Sequence, residues 1–147
     1  MPVDILTETF IRRPRDEVAA FAGDPSRAPE WYVNIKSVEW ETPPPAVIGS
    51  RVAFVAHFLG RRLAYTYEIR ELVPNERLVM STAAGPFPME TTYTWAEERD
   101  GTRMTLRNRG EPSGFSAFMA PFMGMMMRRA NTADLARLKA VLEAAPP

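Results

Sequence analysis

The sequence contains no cysteine and a single histidine. Without cysteine there is no disulfide framework, no thiolate metal site and no thiol nucleophile, and one histidine cannot build a multi-histidine metal centre. No metal and no cofactor are therefore expected. Lysine is almost missing as well: Lys36 and Lys139 are the only two, so arginine supplies the rest of eighteen positive charges, and eighteen acidic residues cancel them. A chain without net charge has no global field to hold a nucleic acid backbone or an anionic membrane surface, which removes nucleic acid as an expected partner. The apolar stretch 115–127 is thirteen residues long, whereas a spanning helix needs about twenty, so no membrane span is expected. The opening MPVDILTETF carries Asp4 and Glu8 and lacks both the basic start and the apolar run of a signal peptide, which points to the cytoplasm.

What is present suits one domain over residues 1–147, large enough to bury roughly 70% of the surface its unfolded chain exposes. Residues 3–11 alternate, with Val3, Ile5 and Ile11 on one side of a strand and Asp4 and Glu8 on the other. Pro14 ends that strand and opens a short helix, with Asp16 and Glu17 at its positive end, Val18, Phe21 and Ala22 on its apolar face, and Gly23 to close it. Asp24-Pro25 repeats the start signal for a second short helix toward Trp31. Six further strands are predicted at about 34–41, 50–58, 62–72, 77–82, 87–97 and 102–109. Their breaks are short and rich in Pro, Gly and Asn, as hairpins require, and Asp100-Gly101 signals a tight one. After 110–114 the chain is helical in composition to about Ala145, with Pro121 expected to kink or divide the helix.

Alternation assigns the faces of the sheet. Val52, Phe54, Ala56 and Phe58 fall together, as do Leu63, Tyr65, Tyr67 and Ile69, while Arg51, Glu68 and Arg70 are out of phase with them. In the last strand Arg103, Arg107 and Arg109 share one face and Met104, Leu106 and Asn108 the other.

The order strand, two short helices, six antiparallel strands and a long terminal helix resembles the helix-grip fold of the START and birch-pollen-allergen (SRPBCC) superfamily. Local stretches resemble its bacterial polyketide cyclase/dehydrase-like branch: Pro14-Arg15-Asp16-Glu17-Val18, Ile48-Gly49, Glu71-Leu72-Val73-Pro74-Asn75-Glu76-Arg77-Leu78, Gly101-Thr102-Arg103-Met104-Thr105 and Leu135-Ala136-Arg137-Leu138-Lys139. The resemblance implies an α+β architecture, a seven-stranded antiparallel sheet wrapped around the terminal helix, and an enclosed pocket for a hydrophobic small molecule. One superfold hosts many functions, so it does not imply which molecule.

The stretch PFMGMMMRRA at 121–130 gains a meaning from that pocket. On a helical wheel Leu135, Leu138, Val141 and Leu142 form a stripe whose backward projection passes through Asn131, Met127, Gly124 and Ala120, with Met123 at its margin. Small residues leave space between helix and sheet, and methionine fills space without a fixed shape. The methionines read either as gap-filling core or as a pocket wall, and the resemblance favours the wall. Expected ligand-binding residues are Phe54, Phe58, Tyr65, Tyr67, Tyr93, Trp95, Met104 and Asn108 on the sheet, with Ala120, Met123, Gly124 and Met127 on the helix. Buried tyrosine or asparagine groups need partners, which the backbone, a ligand or water can supply.

His57 is the one side chain that titrates near neutrality without perturbation, but its alternation with Phe54, Ala56 and Phe58 faces it outward unless a bulge intervenes. Trp31 reads as an anchor over the short helices or as a lid, and Arg128-Arg129 as a solvated face or a carboxylate site at the cavity rim. No pair of inward carboxylates and no recognised catalytic motif is visible, so no catalytic residue is assigned. Three functions are open: binding of a hydrophobic, polyketide-like or aromatic compound; the cyclase or dehydratase chemistry that the resemblance suggests, with Tyr65, Tyr67 or Asn108 polarising a carbonyl; or protein interaction through Phe118, Phe122 and Met125 on the outer helix face, homodimerisation included.

Overall fold

The structure is a computed structural model that describes residues 3–58, 60–84, 88–111 and 120–144. Strand β1 (Val3–Ile11) is followed by helix α1 (Arg15–Ala22), a 3-10 turn (Pro25–Arg27) and helix α2 (Ala28–Trp31). Then come β2 (Ile35–Trp40), β3 (Arg51–Phe58), β4 (Arg61–Val73), β5 (Arg77–Ala84), β6 (Met89–Glu98) and β7 (Gly101–Gly110), and helix α3 (Ala120–Ala144). The strands form one antiparallel sheet in the order β1-β7-β6-β5-β4-β3-β2. Consecutive antiparallel connections carry the chain from β2 to β7, and the first strand closes against the last, which is the α+β helix-grip arrangement.

Local chemistry explains the joints. Asp24 accepts a hydrogen bond from the Ser26 backbone N–H at 3.0 Å and so caps the turn that Pro25 begins. Asn75 takes a positive φ of 63° in the β4–β5 turn, a conformation that Asn tolerates better than most residues. The β6–β7 hairpin is as tight as Asp100-Gly101 suggested, but its two loop residues are Arg99 and Asp100, and Glu98 pairs with Gly101. Gly101 is required for a different reason: a Cβ there would lie 2.3 Å from the Ile11 carbonyl oxygen.

Pro121 does not divide the terminal helix within the described residues. Ala120–Ala144 is one unbroken helical segment.

The alternating faces hold along β4 as far as Ile69; the irregularity between Ile69 and Glu71 then shifts the phase by one, so that Leu72, opposite Leu78, packs against the core while Glu71 is ion-paired to Arg77 outside. Three apolar clusters fill the concave side. The main one joins Ile11, Trp95, Met104 and Leu106 on the sheet to Val18 of α1, Trp31 of α2 and Leu135, Leu138 and Leu142 of α3. A second joins Val3, Ile5 and Met89 to Met123 and Met127, and a third joins Ala28 to Val52 and Phe54. Tyr67 packs against all three. The convex face carries ion pairs such as Asp4–Arg107 and Glu90–Arg109.

Candidate functional site

Where the three clusters approach Tyr67 they do not close. A cavity of about 160 Å³ remains between the sheet, α3 and the segment from Ala22 to Ile35, and it is partly open to solvent. A dry apolar cavity of about 150 Å³ accepts benzene, so this space has room for a small molecule of that order of size. Its walls are Phe54, Leu63, Leu78, Met80, Met89, Met123 and Met127, with the rings of Tyr32, Tyr65, Tyr67 and Tyr93 between them.

Of the residues expected from the sequence, Phe54, Tyr65, Tyr67, Tyr93, Asn108, Met123 and Met127 line this space. Met123 is nearer the centre of the buried helix face than the wheel suggested, being 2% exposed. Trp95 and Met104 do not line it: they pair across β6 and β7 and are sealed in the main cluster. Gly23 lets α1 approach closely there, because a Cβ would meet the Trp95 ring at 3.3 Å. Gly124 faces β1 instead, where a Cβ would lie 3.6 Å from Ile5. Alternation gives the face of a residue but not its depth along the strand, which accounts for Trp95 and Met104. The side chains of Phe58 and Ala120 lie outside the described residues, as does Phe118.

The other sequence candidates fall elsewhere. His57 is exposed on the convex side. Trp31 is fully buried and stacks at 4.1 Å between ring centroids on Tyr32, so it is an anchor. Arg128 donates to the Leu6 carbonyl at 3.0 Å, tying α3 to β1 and not reaching into the cavity. Phe122 and Met125 are exposed.

The polar groups of the cavity form two sets. In the first, the Tyr32 and Tyr93 hydroxyls share a hydrogen bond of 2.5 Å. Burial is the main cause that pushes both phenols' pKa values up, and the nearby Asp134 charge adds to it. Asp134 projects from α3, is 3% exposed, and accepts a hydrogen bond from the Val33 N–H at 2.9 Å just beyond α2. Burial pushes its carboxyl up to about 6, against the Val33 bond and the Arg137 charge, which both favour the ionised form. Asn131, one turn earlier, is buried with its Nδ2 unpartnered among the described residues. In the second set Thr91 donates to Asn108 Oδ1 at 2.6 Å, beside Tyr67 on the cavity wall.

Sequence reasoning missed Tyr32, Thr91 and Asp134. Asp134 left a trace, since it lies three residues beyond Asn131 and beside Leu135 on the buried stripe. Thr91 shares the phase of Tyr93. Tyr32 left none, because its place depends on how α2 folds over the sheet. No group of three His, Asp or Glu among the described residues is placed to hold a metal ion, and no helix among them is long and apolar enough to cross a membrane.

Residues 3–143 match the model of the family described as polyketide cyclase / dehydrase and lipid transport. The chain belongs to that family. Solved structures share its fold. The Thermus thermophilus protein TTHA0849 superposes with a TM-score of 0.84 at 21% identity, covering 98% of this chain and 99% of its own. A START superfamily protein of Mycobacterium smegmatis gives 0.81 at 12% identity, over 95% and 97%. The ZhuI aromatase/cyclase of Streptomyces sp. R1128 also gives 0.81 at 12% identity, over 97% and 94%. A search of curated proteins finds no match.

Proposed function

We propose that this family member binds a small hydrophobic molecule, aromatic or polyketide-like, in the cavity between the sheet and α3. The observation that carries the reading is the cavity itself: about 160 Å³ walled by aromatic and methionine side chains, with a few converging polar groups. Methionine suits such a wall because its unbranched chain adapts to the bound shape. Native mass spectrometry of the protein gently purified from its source cells tests it. A discrete added mass that leaves on solvent extraction is expected; a bare protein that also takes up no apolar probe would overturn it.

A second reading is favoured by one observation, the Asp134 carboxyl buried at the cavity wall near the Tyr32–Tyr93 pair, where burial pushes its pKa up to about 6. A carboxyl that titrates close to neutrality can take and return a proton, and the Tyr32–Tyr93 pair can donate to a carbonyl oxygen. Together they would serve the cyclisation or dehydration of a carbonyl compound, with orientation in the cavity supplying much of the rate. Asp134→Asn is expected to abolish turnover of an authentic substrate while leaving it bound. Unchanged turnover would take Asp134 out of the chemistry.

A further inference from the structure

Among the described residues lining the cavity the only charged side chains are Asp24 and Asp134; no Arg, Lys or His contributes to the walls. The cations nearest in effect are engaged elsewhere. Arg137, whose charge reaches Asp134, donates to the Glu30 carbonyl at 3.0 Å on the outer side of α2. Arg61, whose charge reaches Tyr65, is exposed at the start of β4. An anionic ligand would therefore lose its hydration, gain no ion pair and face the Asp134 carboxylate, and each of these disfavours it.

The second polar set adds a positive requirement. Asn108 lines the cavity, and its Oδ1 is occupied by the Thr91 hydroxyl. Its Nδ2 hydrogens have no partner among the described residues, so they are what the carboxamide offers to a ligand. They are donors, and they call for an acceptor oxygen.

We propose that the cavity selects uncharged ring compounds carrying a carbonyl oxygen, which Asn108 reads through its Nδ2 hydrogens, and that it rejects carboxylates. The proposal rests on the cavity being a binding site and adds its selectivity. Thr91 then acts as a positioning residue: its hydrogen bond to Asn108 Oδ1 fixes which end of the carboxamide faces the ligand.

The test uses ligand-observed NMR titration of the whole chain at pH 8 with three probes sharing one ring: benzene, acetophenone and benzoate. Acetophenone is expected to bind about fivefold more tightly than benzene, the size of one neutral hydrogen bond, and benzoate at least about tenfold more weakly than acetophenone. Asn108→Leu should bring the acetophenone-to-benzene ratio close to one, and Thr91→Val should reduce it. Benzoate binding as well as acetophenone, or a ratio that survives Asn108→Leu in a folded variant, would overturn the selectivity and leave the cavity as an apolar site. If neither benzene nor acetophenone binds, the reading of the cavity as a binding site falls with it. The probe ratios in the unaltered protein decide the matter even if a variant does not fold.

Discussion

Asp134→Asn removes one buried charge and keeps the shape of the side chain, so its effect on stability can be worked out. The carboxyl is 3% exposed and its pKa is raised from 3.8 to about 6, chiefly by burial. A carboxyl whose folded pKa is raised binds its proton more tightly in the folded state. Between pH 3.8 and about 6 folding therefore takes up a proton, and stability falls as pH rises. Above that window the full penalty applies. A gap of about two units, at about 1.4 kcal/mol each, amounts to about 3 kcal/mol. Asparagine carries no charge to desolvate, and its Oδ1 can still accept from the Val33 N–H. The variant is thus expected to be more stable than the parent at pH 8 by about 1 to 3 kcal/mol, and the advantage should vanish near pH 4. Denaturant unfolding of ligand-free protein across this range measures it. Taking the difference between the two proteins cancels the surface carboxyls Asp4, Glu98 and Glu143, whose pKa values are held low by their partners and whose contribution is lost as pH falls. An asparagine variant less stable at pH 8, or a difference independent of pH, would refute the reasoning. A stability cost kept at a cavity wall is what a functional carboxyl would produce.

The Tyr32–Tyr93 bond predicts coupling. Either single change to Phe leaves a buried hydroxyl without its partner and should cost about 1 to 2 kcal/mol, while the double change should cost less than the sum, read by a double-mutant cycle in denaturant. Met127→Ala should cost about 2 kcal/mol, at the low end for a buried methionine because the site is already open, and should raise affinity for a two-ring probe over a one-ring probe in titration. Phe122→Ser with Met125→Ser, both on the exposed side of α3, should leave probe affinity unchanged; a loss would move the site to the outer face.

The succession of strands along the chain, the inward phase and the buried stripe of α3 were legible because turn signals mark the breaks and the faces follow from a period, two for strands and 3.6 for the helix. Val52 and Phe54 illustrate it, both buried as their alternation required. Position along an element was not legible. Trp95 and Tyr93 share a face of β6, yet one is sealed against Gly23 and the other borders the cavity. That difference depends on where α1 and α2 cross the sheet, which no local period encodes. The same holds for Tyr32. Asp134 was passed over because a carboxylate on an apolar stripe reads as an exposed residue at the margin, and only the packing of Val33 and the tyrosines around it makes it a buried acid.

The methionines supply the most direct test of the cavity. With methyl-labelled methionine, titration with acetophenone should shift the resonances of Met80, Met89, Met123 and Met127, which line the cavity. It should leave unmoved Met104, sealed in the main cluster, and Met125, which is exposed on the outside of α3. Shifts confined to Met125, or none at saturating probe, would contradict a binding site between the sheet and α3.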